Sequence, residues 1–229
     1  MNRYLVKFEK TGLLRYISHL DLLRLFLRTL KRSGIGLVYT KGFNPHPKMS
    51  LAQPLPLGYT SSGEYLEFET PISYDESFII SSLNCKLPCG IKALDCRRVS
   101  EKFKNAASLV CWASYEVIFS ESAVVPSGAQ LLGFLDQSEI YIAKRNKKKT
   151  GSEQIDIKSL IGHLSLLKNE EDPPIIYMKV RTGSAANLNP KVLMDSLLSF
   201  CNISYEEFSF HIKRLELYQE DGQSLYKDL

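Results

Sequence analysis

Gly42-Phe43-Asn44-Pro45-His46-Pro47-Lys48-Met49-Ser50 is the stretch around which the rest of the chain is read. Proline locks φ at about −65° and moves the residue before it out of the helical region, so Asn44 and His46 are held in extended backbone. Two prolines also remove amide donors that a central strand needs. The segment therefore reads as a stiff crossover between strands, and side chains on a stiff loop lose little freedom on meeting a ligand. The plain alternative is a rigid connection with His46 solvated. The neighbouring sequence weighs against it: a basic helix that opens with His19 lies upstream, and the downstream run Pro54-Leu55-Pro56-Leu57-Gly58 is again stiffened by proline.

Working back to the start, Arg3-Tyr4-Leu5-Val6-Lys7-Phe8-Glu9 alternates and is rich in β-formers, so it predicts the first strand. Ser18-His19-Leu20-Asp21 predicts a helix start, with Ser18 as N-cap and Asp21 at the positive end of the helix dipole. Gly34 ends that helix. At about 100° per residue, Leu20, Leu23, Phe26, Leu27 and Leu30 share a core face, while Arg24, Arg28, Lys31 and Arg32 gather on an adjacent one. A solvated face is the commoner case for such a cluster, but Asp21 is the one acid within the helix to offset it, which raises a phosphate-binding reading beside it.

Working forward, Leu37-Val38-Tyr39-Thr40 predicts a short strand into the loop and Met49-Ser50-Leu51-Ala52 one out of it. Glu64-Tyr65-Leu66-Glu67-Phe68-Glu69 predicts a half-exposed strand, Asp75 caps a second helix, and Gly90 to Cys96 closes with a strand. The order is β-α-β-β-α-β, the split βαβ arrangement. After the polar segment 102–108, strands are expected over 113–120, 139–144, 153–157, 175–180 and 208–217. Helices are expected over 130–135 and from Pro190, and His163 to Leu167 reads as a strand or a helix end. The expectation is an α+β protein of two tandem ferredoxin-like (βαββαβ) units, a basic one over residues 1–98 and a second over 109–229.

The 229 residues carry 44% hydrophobic and 24% charged side chains, the balance of a folded protein with a real core. No signal sequence and no apolar run of about 20 residues is present, so a cytoplasmic location without membrane contact is expected. Five cysteines argue against a disulfide framework. The spacing of Cys85, Cys89 and Cys96 is not that of a zinc site, so no metal and no cofactor is expected in this chain. Residues 1–98 hold 14 Lys/Arg against 8 Asp/Glu and the remainder 15 against 17, which puts a polyanionic partner on the first half.

Leu14-Arg15-Tyr16-Ile17-Ser18-His19-Leu20-Asp21, residues 42–50, residues 54–58 and Glu64-Tyr65 together resemble the bacterial radical-SAM-linked family, a domain of unknown function. The resemblance is specific over residues 1–98 and rests beyond them on Arg181-Thr182-Gly183 and the helix that follows. It implies a companion of a radical S-adenosylmethionine enzyme and work on RNA, tRNA or rRNA. The chain lacks the C-x3-C-x2-C that holds a radical-generating cluster, so that chemistry is expected in another polypeptide.

Three elements are expected to meet at one end of the first sheet. These are the turn with Arg15 and Tyr16, the helix start with Ser18 and His19, and the loop with Asn44, His46 and Lys48. Joined by Arg24 and Arg28, they form a candidate RNA- or phosphate-binding pocket, in which Tyr16, Tyr39 and Phe43 can stack on unpaired bases. The main reading is a non-catalytic RNA-binding or substrate-presenting partner. A second is a metal-independent endoribonuclease with His19 or His46 as general acid or base, an analogy of fold with the CRISPR repeat-processing endoribonucleases. A third is a protein-only adaptor. In the second half, residues 181–184 leading towards Pro190 and the cationic tip Lys147-Lys148-Lys149 are weaker anion-contact candidates.

Overall fold

In the computed structural model, residues 1–100, 102–145, 152–167, 173–206 and 209–227 are described. The chain is a mixed α/β protein with extensive sheet and a few helices, divided into two compact units. The first is Met1–Val110 with Arg214–Leu229, and the second is Cys111–Lys213. The sequence reading ends the second unit at the C terminus. The structure assigns Arg214–Leu229 to the first unit, because those residues make its ion pairs and tyrosine contacts.

The first unit runs β1 (Asn2–Lys10), a 3-10 turn (Gly12–Tyr16), α1 (His19–Arg32), β2 (Met49–Leu51), β3 (Thr60–Thr70), α2 (Glu76–Asn84), β4 (Ile91–Val99) and α3 (Ala106–Leu109). Its strand order is β4-β1-β3, with β2 also paired to β3 and each of these pairs antiparallel. The unit extends past residue 98: the Ala106 amide donates to Glu67 Oε2 at 2.8 Å, which ties α3 to β3.

Ser18 caps α1 by accepting from the Asp21 amide at 3.1 Å, and Gly34, at φ +72°, closes its other end. The helix buries Leu22, Phe26, Thr29 and Leu30, the spacing of one helical stripe. The expected face differs by part of a turn: Leu20 is exposed, because in the first turn it points away from the strands that Leu22 and Phe26 cover. Against this stripe pack Tyr4, Val6, Phe8, Leu66, Phe68, Ile79 and Leu83. Residues 37–40 form no strand; a single bridge pairs Tyr39 with Pro47.

β3 is also more enclosed than the alternation of its acids implies. Glu64, Tyr65, Leu66, Glu67 and Phe68 are all buried. Buried carboxylates need partners, and Glu67 meets Arg3 at 3.2 Å while Glu64 meets Arg214 at 2.8 Å. At Gly63 a Cβ would overlap the Leu215 carbonyl, so only glycine permits that approach.

The second unit runs β5 (Trp112–Phe119), α4 (Gly128–Asp136), β6 (Tyr141–Arg145), β7 (Ser152–Asp156), a 3-10 turn (Lys158–Leu160), β8 (Ile161–Leu167), β9 (Ile175–Arg181), α5 (Pro190–Phe200) and β10 (Phe210–Tyr218). The last strand divides between the units, since Arg214 onward belongs to the first. Strand order is β10-β5-β9-β8, with β6 and β7 a separate two-stranded sheet. The segment 163–167, open between strand and helix end from sequence, is strand. Ser127 and Gln130 form a reciprocal capping box on α4, and Asn189 caps α5 with Pro190 in its first turn. The expected cationic tip Lys147-Lys148-Lys149 lies outside the described residues. Among the described residues, no helix is long and apolar enough to cross a membrane.

Candidate nucleic-acid interface

The exposed face of α1 carries Arg24, Arg28, Lys31 and Arg32. Asp21 offsets part of this charge: its carboxylate accepts from Ser18 Oγ at 2.6 Å and from Arg24 Nη1 at 3.0 Å. The Ser18 hydroxyl, then Arg24, holds the Asp21 carboxyl below its usual range, so it stays ionised at neutral pH. Arg32 Nη2 donates to the Lys86 carbonyl at 3.1 Å. Lys31 Nζ lies 5.9 Å from the centre of the Tyr39 ring, within cation–π range.

Tyr39 begins the stem of the proline loop. The Thr40 amide donates to the His46 carbonyl at 2.8 Å, the His46 amide to Thr40 Oγ1 at 3.0 Å, and the Lys48 amide to the Val38 carbonyl at 2.8 Å. This stem projects residues 41–46 into solvent with Phe43 fully exposed at the tip. A free aromatic ring beside a guanidinium-rich helix is a stacking surface for unpaired bases. Lys48, by contrast, anchors the loop: its Nζ pairs with Glu69 Oε2 at 2.8 Å. The adjacent cavity of about 310 Å³ is lined by Glu67 and Glu69 as well as Lys48, so its two acids disfavour an anion there. Asn44 and the His46 ring are exposed.

Arg15, Ser18 and His19 stand elsewhere. The Arg15 guanidinium covers the Tyr16 ring at 4.9 Å, and its carbonyl accepts from the Gly58 amide at 2.9 Å. Arg15 Nε and His19 Nδ1 are buried atoms without a hydrogen-bond partner among the described residues. Behind them Lys10 Nζ reaches the Ile17 carbonyl at 3.4 Å.

The three expected elements therefore do not converge. Lys10 pairs with Ser61 at one end of β3, and Lys48 pairs with Glu69 at the other. Eight residues of strand separate Ser61 from Glu69, about 26 Å at about 3.3 Å each. The two histidines fall at opposite ends of the first unit, and α1 spans the distance between them. The reason is topological: the chain enters a crossover helix at one end of the sheet and leaves it at the other, so His19 at the first residue of α1 and His46 beyond its last cannot share a pocket. Arg24 and Arg28 lie between, and the loop stem joins the end of α1 that carries Lys31.

Sequence reasoning missed Lys10, Glu64 and Arg214. Burial of all three is nearly complete. The signal for Lys10 was the period-two series Tyr4, Val6, Phe8, which continues to it. Elsewhere, Cys85 and Cys89 are exposed while Cys96 is buried, and no three His, Cys, Asp or Glu residues gather as a metal site among the described residues. In the second unit Thr182 Oγ1 bonds Asn187 Oδ1 at 3.1 Å, an ordinary loop contact ahead of α5.

No curated protein matches the chain. In fold it is similar to a chain of a crystallised Cbf5-Nop10-Gar1 complex, at 11% identity and a TM-score of 0.50, over 95% of this chain and 50% of that one. The chain thus spans about half the length of that structure, and at this identity the likeness is one of fold alone. A family described as an uncharacterized protein conserved in bacteria (DUF2344) matches residues 3–190, well beyond the 98 residues over which the motif resemblance is specific. The chain belongs to this bacterial family, DUF2344.

Proposed function

We propose that the first unit binds single-stranded RNA on the face shared by α1 and the loop 42–50, and presents it to a partner enzyme. The observation that carries this reading is the Lys31–Tyr39 contact, which makes the basic helix and the aromatic loop one surface. Cations on α1 hold phosphates, and Phe43 and Tyr39 take unstacked bases. The partner class, a radical S-adenosylmethionine enzyme, is supported by the motif resemblance alone, as is the choice of tRNA or rRNA; a cytoplasmic setting rests on the sequence pattern, which has no signal-like start and no long apolar run.

The second part of the proposal concerns ancestry of the fold. Strand orders β4-β1-β3-β2 and β10-β5-β9-β8, each with a helix after its first and third strands, support two tandem ferredoxin-like units, with β6 and β7 as an insertion in the second. For the alternatives, an endoribonuclease using His19 or His46 and a protein-only adaptor, no specific observation of the structure speaks; the length of β3 keeps the two histidines from acting together.

Fluorescence anisotropy of a short unstructured RNA across a salt series tests the reading. Binding at low salt should weaken linearly on logarithmic axes, with about 0.7 of slope per phosphate contact. Arg24→Ala with Arg28→Ala should reduce the slope by about 1.4. Failure to bind at low salt, or an unchanged slope in the double variant, overturns it.

A further inference from the structure

The opposite end of the first unit holds a charge imbalance that the RNA-binding face does not use. Lys10, Glu64 and Arg214 are each 1% exposed, two cations to one carboxylate. Arg214 takes both oxygens of Glu64, through Nε at 2.8 Å and Nη2 at 3.1 Å, and its Nη2 also faces the Gln53 carbonyl. Glu64 is thereby held by Arg214, and its charge is shared between Arg214 and Lys10, which makes no hydrogen bond to it. Lys10 keeps one long hydrogen bond, to Ile17, for an ammonium with three donors. A buried cation left in this state calls for an anion.

Two more nitrogens flank Ile17 in the sequence. Arg15 Nε and His19 Nδ1, two residues to either side, are buried and unpartnered among the described residues. The first amides of α1 open towards the same turn by helix geometry, with Ser18 Oγ already taken by Asp21. Asp21, the acid at the helix start, is turned to Ser18 and Arg24 at the exposed side. Both Arg15 and His19 are half-buried, so a ligand reaches the site past them.

We propose that Lys10, Arg15 and His19 form a binding site for a phosphate monoester between the 3-10 turn and α1. Nitrogens on either side of Ile17 and the ammonium at its carbonyl suit a tetrahedral oxyanion, with His19 donating in the tautomer that carries its proton on Nδ1. An enclosed excess of positive charge favours a dianion, and hence a terminal phosphate over a backbone diester. The site is distinct from the RNA-binding face, since neither Arg24, Arg28 nor the loop 42–50 contributes to it.

Isothermal titration with inorganic phosphate and with adenosine monophosphate, on the full chain at low salt, tests the site. Saturable binding is expected, weakened about tenfold or more in Lys10→Met and in Arg15→Gln and unchanged in Arg24→Ala with Arg28→Ala. If Lys10→Met does not fold by circular dichroism, Arg15→Gln at its half-buried position decides. A 5′-phosphorylated oligoribonucleotide binding more tightly than its 5′-hydroxyl twin, with the difference lost in Arg15→Gln, identifies an RNA end as the source. Equal affinities with phosphate still bound identify a free phosphate or nucleotide. Absence of saturable phosphate binding, or wild-type affinity in Arg15→Gln, overturns the proposal.

Discussion

Arg214 grips Glu64 with two guanidinium nitrogens across 150 residues of sequence, both side chains almost wholly out of solvent. Around this pair the C-terminal segment is sewn to the first unit: Lys7 and Tyr65 meet Glu216, and the Tyr226 hydroxyl accepts from the Lys7 amide and shares its one hydrogen between the Leu5 and Asp95 carbonyls. Breaking one side of a buried pair strands the other charge. Arg214→Met should lower stability by about 3–5 kcal/mol, and Glu64→Leu added to it should recover most of the loss. Urea unfolding of the two variants measures both; a mild effect of the single change contradicts the pairing.

Lys10 makes the opposite prediction. Burial lowers its pKa from the usual 10.5, against the opposing pull of Glu64 and with a further push from Arg214. A base with a depressed folded pKa holds fewer protons folded than unfolded between the two values, so its cost is present in full below the folded pKa. That cost is relieved as pH rises from the folded value towards 10.5. Lys10→Met should therefore stabilise the protein at pH 7 by about 1–4 kcal/mol and flatten the alkaline rise in stability. Thermal unfolding from neutral to alkaline pH checks the sign.

The cysteines separate by chemistry. Burial pushes the Cys96 thiol up to about 12, with the charges of Glu76 and Asp95 adding to the rise, while Cys85 and Cys89 are exposed. Thiolate is the reactive form. Alkylation of the folded protein at mildly basic pH, read by peptide mass spectrometry, should modify Cys85 and Cys89 and spare Cys96 until denaturant is added.

Phe43 tests binding apart from folding. Its ring is fully exposed, so Phe43→Ala should leave the unfolding midpoint unchanged. The variant should lose about 1–3 kcal/mol of RNA affinity, the worth of one stacked base. Anisotropy and thermal unfolding on the same preparation provide both readings.

Local signals in the sequence were sound where one element decides them. Ser18 and Asp75 cap their helices, Gly34 ends α1, and the prolines of residues 42–50 hold an exposed loop. Partnership across long separations was not legible. Glu64 and Glu67 read in sequence as acids of a half-exposed strand, yet they lie on opposite faces of the sheet and are buried against Arg214 and Arg3. The grouping of His19 with His46 failed because residue types say nothing of which end of a sheet a loop occupies; the direction of α1 does. Lys10 was within reach, one step beyond Phe8 on the inward face of β1.

Photocrosslinking of 4-thiouridine RNA to the intact protein, followed by trypsin and mass spectrometry, bears most directly on the RNA-binding face. Crosslinks should fall on the peptide of residues 42–48, which carries Phe43, and weaken in the Arg24→Ala, Arg28→Ala variant. Crosslinks confined to Cys111–Lys213, or none at low salt, would contradict the assignment.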